Sequence, residues 1–105
     1  MIRYGDETWN ELSFTGFRPS AEKRDRQWVD VELRVKTAEE TPLPTDLIDF
    51  SILVVCTHAG FPMQIAPQDE GCDCEYQLTA EEKRQIEAYI ATEPVQALIR
   101  QAANE

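Results

Sequence analysis

Four residues of this chain carry side chains that ligate soft or borderline metal ions: Cys56, His58, Cys72 and Cys74. They form a C-x-H pair and, after 13 intervening residues, a C-x-C pair. Many tetrahedral zinc sites are assembled from two short segments that each give two ligands. In an extended segment, residues i and i+2 point the same way. Cys56 would then share a face with His58, and Cys72 with Cys74. Gly71 leaves room for a close approach. One structural zinc, adding its binding free energy to folding, is therefore one expectation. The plainer expectation is free thiols. Cys56 follows Ile52-Leu53-Val54-Val55 and suits a small buried hydrophobe. His58 suits a hydrogen-bonded loop residue, and Cys72 and Cys74 suit loop thiols. The spacing does not decide, because C-x2-C is the commoner structural pattern.

Enzymatic motifs are missing. The sequence has no P-loop, no G-x-G-x-x-G, no G-x-S-x-G and no H-E-x-x-H. A Cys–His nucleophile needs an activated thiolate and a third, orienting group, and the chain has a single His. With 20 acids, paired carboxylates are expected anywhere and identify nothing. A non-enzymatic role is expected, with no catalytic residues.

The acids are unevenly placed. Between Thr37 and Glu82 lie ten of them (Glu39, Glu40, Asp46, Asp49, Asp69, Glu70, Asp73, Glu75, Glu81, Glu82) and no Lys or Arg. The remainder holds ten acids and ten bases, so this one segment carries the whole formal charge of −10. Such a chain is ill suited to gripping nucleic acid or anionic lipid, which require a basic surface. It suits an acidic surface that meets a basic partner protein and stands in for a phosphate backbone. The candidate contacts are Glu39, Glu40, Asp46, Asp69, Glu70, Asp73 and Glu75. Phe61, in Ala59-Gly60-Phe61-Pro62-Met63, is a candidate apolar anchor. The competing expectation is a solvated acidic face that only keeps the protein in solution, with Phe61 and Met63 folded inward. Small acidic domains occur among phage-encoded inhibitors of host defence enzymes; the likeness is one of size and charge. The alternative role is a zinc-stabilised structural or assembly subunit. A monomer or small homo-oligomer fits either role.

These side chains need a scaffold. At 105 residues, 42% of them hydrophobic, the chain is expected to form one domain over 1–105. No apolar run of membrane-spanning length occurs, and the first residues lack the apolar stretch of an export signal. With an odd number of cysteines, a reducing cytoplasmic setting is expected.

Leu12 and Phe14 within Glu11–Phe17 predict a first strand that Trp9 begins. The polar stretch Arg18–Arg26 predicts an exposed connection. Over Gln27–Lys36, Val29, Val31, Leu33 and Val35 alternate with charged residues and predict a half-buried strand; Trp28 falls on its wet face. Thr41–Thr45 contains two prolines and predicts a rigid extended linker. Leu47–Cys56 predicts a central strand, with Ile48, Phe50, Ile52, Val54 and Cys56 on its apolar face. Thr57–Tyr76 predicts a long irregular loop. Thr79-Ala80-Glu81-Glu82 is a capping box that opens a helix. Thr92 and Pro94 restart a second helix, whose apolar stripe is Val95, Leu98, Ile99 and Ala102. The resulting fold expectation is α+β: an antiparallel sheet of about three to four strands, with two short C-terminal helices packed on one face.

Overall fold

A computed structural model describes residues 1–6 and 10–105. The expectation that Trp9 begins a strand lies outside the described residues. Five antiparallel strands form the main sheet, in the order β2-β3-β4-β5-β6: β2 (Phe14–Lys23), β3 (Trp28–Thr37), β4 (Phe50–Thr57), β5 (Pro62–Asp69) and β6 (Cys72–Asp73). A separate two-stranded sheet pairs β1 (Ile2–Arg3) with β7 (Tyr76–Gln77). Two helices follow, α1 (Ala80–Ile90) and α2 (Glu93–Ala103). Among the described residues, no helix is long and apolar enough to cross a membrane.

The expected sheet of three to four strands is corrected by this architecture. Strand content is larger, for two identifiable reasons. Arg18–Arg26 looks like a connection because it is charged and contains Pro19, yet β2 runs on to Lys23. As the first strand in the sheet order, β2 has one side with no ladder to complete, and there a missing N–H is tolerated. Thr57–Tyr76 looks like a loop because it contains Pro62 and Pro67, yet it returns as β5 against β4, with Val54 opposite Ile65 and Phe50 opposite Asp69. Only Gln68 and Asp69 of β5 pair outward, with β6, so most of its outer side likewise has no ladder.

The alternating strand over Trp28–Thr37 forms as the pattern requires. Val29, Val31 and Leu33 are buried on one face. Opposite them, β4 buries Ile52, Val54 and Cys56, each fully inaccessible. Ile86 and Ile90 of α1, and Val95, Ile99 and Ala102 of α2, close over this face, joined by Leu12 and Leu78. Leu98 of the expected stripe is half-buried. Ile48 departs from expectation. It lies outside β4, which starts at Phe50, and it is 76% exposed. Its amide and that of Asp49 turn to the Asp69 side chain instead of a strand partner.

α1 begins at the expected box: Glu82 N donates to Thr79 Oγ1 at 3.1 Å and Thr79 N donates to Glu82 Oε1 at 2.8 Å. α2 begins after Thr92, with Pro94 in its first turn. The Thr92 hydroxyl donates to Tyr89 O at 2.7 Å and so does not cap the second helix.

Candidate interaction surface

Antiparallel hairpins alternate direction, so the end of β3, the start of β4 and the end of β5 meet at one end of the sheet. Register makes this explicit: Leu33 faces Ile52, Ile52 faces Pro67, and Phe50 faces Asp69. The acids of the 37–82 segment flank those strand ends. Glu39 and Glu40 are exposed on the turn after β3, which is closed by Thr41 N donating to Ala38 O at 2.9 Å. Asp69 Oδ1 accepts from Ile48 N at 3.0 Å and from Asp49 N at 2.7 Å. Glu70 N donates to Asp49 O at 2.9 Å.

Glu70 and Gly71 form the two-residue connection from Asp69 to Cys72, with φ of 53° and 78°. Positive φ at both positions is the I′ hairpin geometry, which matches the twist of the flanking strands. Gly71 is required there for its backbone, not for room around a metal. The turn holds the Glu70 side chain out into solvent, next to exposed Asp73 opposite Gln68.

Asp46 and Glu75 extend this end. Tyr76 Oη donates to Asp46 Oδ1 at 2.7 Å. That bond, with the nearby Arg3 guanidinium, holds the Asp46 carboxyl below its usual range, and Asp46 in turn raises the Tyr76 phenol. Arg3 bridges two acids, at 3.5 Å from Asp46 and 3.2 Å from Glu75. Arg34 holds Asp49 at 2.5 Å and Glu32 at 3.2 Å. Among the described residues, no Lys or Arg pairs with Glu39, Glu40, Asp69, Glu70 or Asp73. The fold thus gathers seven expected contact acids at one end, with Asp49 as an eighth that sequence reasoning omitted. Its signal was its place just before the apolar run of β4. Glu81 and Glu82 stand apart: Glu81 pairs with Arg84 at 2.5 Å, and Glu82 is buried.

Phe61 lies at the opposite end, on the turn from β4 to β5. From Pro62 to Asp69 the strand spans seven steps, roughly 23 Å at about 3.3 Å per residue. Phe61 is 67% exposed and Met63 63%, so neither folds inward. The turn beneath them is tied down. Phe61 N donates to Thr57 Oγ1 at 3.1 Å, and Gln96 Nε2 donates to Gly60 O at 3.1 Å and to Ile90 O at 2.8 Å. Gly60 has φ of 98°, and a Cβ there would lie 2.0 Å from Gln96 Oε1. Phe61 is therefore displayed on a fixed support, but it does not share a surface with the acids.

The four metal-ligating residues do not converge. Cys56 faces Pro62 at one end of β5 and Cys72 faces Asp69 at the other. A tetrahedral zinc needs all four donors within about 2.3 Å of one point. Cys56 points into the core, where burial pushes its thiol up to about 11. His58 Nε2 lies 2.9 Å from the Asp25 carbonyl and donates to it, linking the two hairpin turns. Cys72 is exposed, and half-buried Cys74 donates from Sγ to Pro67 O at 3.6 Å. Among the described residues, no group of three or more His, Cys, Asp or Glu side chains is arranged to hold a metal ion.

Two side chains that sequence reasoning undervalued organise the chain. Glu82 is fully buried and accepts from the Met1 amino group at 2.5 Å and from Leu12 N at 2.7 Å, in addition to its capping bond. Gln85 accepts from Phe14 N at 2.9 Å and donates to Leu12 O at 2.9 Å, completing the backbone where β2 begins. The capping pattern identified Glu82 as a cap; nothing in it indicated the buried amine. No protein-family model, no curated protein and no solved structure matches this chain.

Proposed function

We propose that this chain is a non-enzymatic binding protein whose acidic sheet end docks on a basic, nucleic-acid-binding surface of a partner protein. One observation carries the reading. Carboxylates from three separate connections meet at a single end of a stiff antiparallel sheet, and five of them lack a cationic partner among the described residues. Uncompensated carboxylates speed the encounter with a basic surface and disfavour acidic competitors. Rigid strand ends and the Glu70-Gly71 turn spare part of the ordering cost of binding.

The test is charge reversal of Asp69, Glu70, Asp73 and Glu75 to Lys. Partners captured by the wild-type chain from its own cells are identified by mass spectrometry. Each is then purified and titrated with both proteins over a range of salt. Binding by the wild type is expected to weaken steeply with salt, because exposed charge is screened, and to compete with nucleic acid for the partner. The reversed protein is expected not to bind. A purified partner that binds both proteins equally refutes the reading.

A further inference from the structure

The sheet face away from the helices carries a feature separate from the acidic end. Across β2 and β3, Arg18 stands directly opposite Arg34, and Gly16 opposite Lys36. Opposed side chains on one face have Cβ atoms about 5 Å apart, and like charges placed so repel. Compensation is partial. Arg34 is fixed: its Nη1 donates to Asp49 Oδ1 at 2.5 Å and to Phe50 O at 3.3 Å, and its Nε lies 3.2 Å from Glu32. Among the described residues, its Nη2 meets no acceptor, and neither Arg18 nor Lys36 pairs with a carboxylate. Two cations without a carboxylate partner thus stand beside a third on one face of the sheet.

Gly16 supplies the space. It carries no side chain, and the Lys36 stem lies over it: a Cβ at Gly16 would be 3.8 Å from both Lys36 Cβ and Cδ. A cleft of about 520 Å³ results, lined by Gly16, Arg18, Arg34 and Lys36, while the intervening Phe17 and Val35 turn their side chains to the helix-covered face. The geometry points to an oxyanion site that takes a phosphate group, held by Arg18, Arg34 and Lys36. The guanidinium fork matches phosphate oxygens in two-point contact, and an ammonium adds a flexible third donor. Arg34, already oriented by Asp49 and Glu32, is the fixed donor; Arg18 and Lys36 close on the anion. Asp49 and Glu32 already contact Arg34, so the positive charge left for an anion comes chiefly from Arg18 and Lys36. The phosphate arrives either free or on a small organic molecule.

The test is amide chemical-shift mapping on the full chain at constant ionic strength. One titration uses inorganic phosphate and another adenosine 5′-monophosphate. Saturable shifts are expected at Gly16, Arg18, Arg34 and Lys36. Arg18→Gln and Lys36→Gln are each expected to weaken binding about tenfold, the loss of one charge-assisted contact. Tighter binding of the nucleotide identifies an organic phosphate; equal binding identifies the bare oxyanion. Absence of saturable shifts overturns the site, as do shifts that persist unchanged in the folded double variant. Shifts of the same amides with protein concentration alone also overturn it, because a second copy's carboxylates would then be the occupant.

Discussion

The fully buried Glu82 carboxylate sits 2.5 Å from the amino nitrogen of Met1. Its Oε2 also accepts from Leu12 N at 2.7 Å, while Oε1 accepts from Thr79 N at 2.8 Å. One side chain thus fastens the N-terminal segment, the approach to β2 and the start of α1. Removing one member of a buried pair leaves the other charge in the core, which costs about 3–5 kcal/mol. Glu82→Ala is expected to lower stability by that amount in urea unfolding. Glu82→Gln keeps an acceptor and is expected to lose less. Near-wild-type stability for Glu82→Ala would show that solvent reaches the amine.

Asp46 and Tyr76 predict a local pH response. The Tyr76 hydroxyl chiefly, with smaller help from the Asp46 backbone amide and Arg3, depresses the Asp46 carboxyl. A depressed carboxyl stabilises the folded state above its unfolded pKa, and that contribution disappears as pH falls through the folded value. The window therefore opens below the ordinary carboxylate value of 3.8. Tyr76→Phe is expected to move the Asp46 titration upward, followed by carboxyl NMR. An unmoved titration would mean that the hydrogen bond does not persist in solution.

The three thiols are expected to differ sharply. Cys72 is exposed, Cys74 half-buried and Cys56 sealed in the core with its thiol raised to about 11. At mildly alkaline pH, alkylation is expected first at Cys72, then at Cys74, and at Cys56 only on unfolding, as read by peptide mass mapping. The separation along β5 adds a second outcome. Any zinc that copurifies is expected to survive Cys56→Ser, as measured by native mass spectrometry. Loss of stoichiometric zinc in that variant would show that the hairpin rearranges around a metal.

The parts of the fold visible in the sequence are those governed by periodicity and capping. Val29, Val31 and Leu33 alternate because one face of β3 is buried, and Thr79 with Glu82 announces α1. Hidden parts depend on where a strand lies in the sheet. Pro19, Pro62 and Pro67 argue against strands in general, but not against strands with one free side. Which strands have a free side is decided by long-range pairing. Clustering of the acids was invisible for the same reason. Asp46, Asp69 and Glu75 meet only because hairpin direction returns their connections to one end. The i, i+2 argument for the cysteines correctly relates neighbours, yet it carries no information about the distance between the pairs. That distance was set by β5, whose existence the prolines obscured.

Those prolines have a consequence for the protein at high concentration. A free strand edge is a template on which another chain can extend the sheet, the first step toward fibrils. Both long strands with an open side lack donors: β2 at Pro19, β5 at Pro62 and Pro67. A neighbouring strand laid along either would meet gaps in its ladder, and on β2 the charges of Arg18, Glu22 and Lys23 as well. The residues that disguise these strands in the sequence are thus suited to keeping separate molecules from fusing into a continuous sheet.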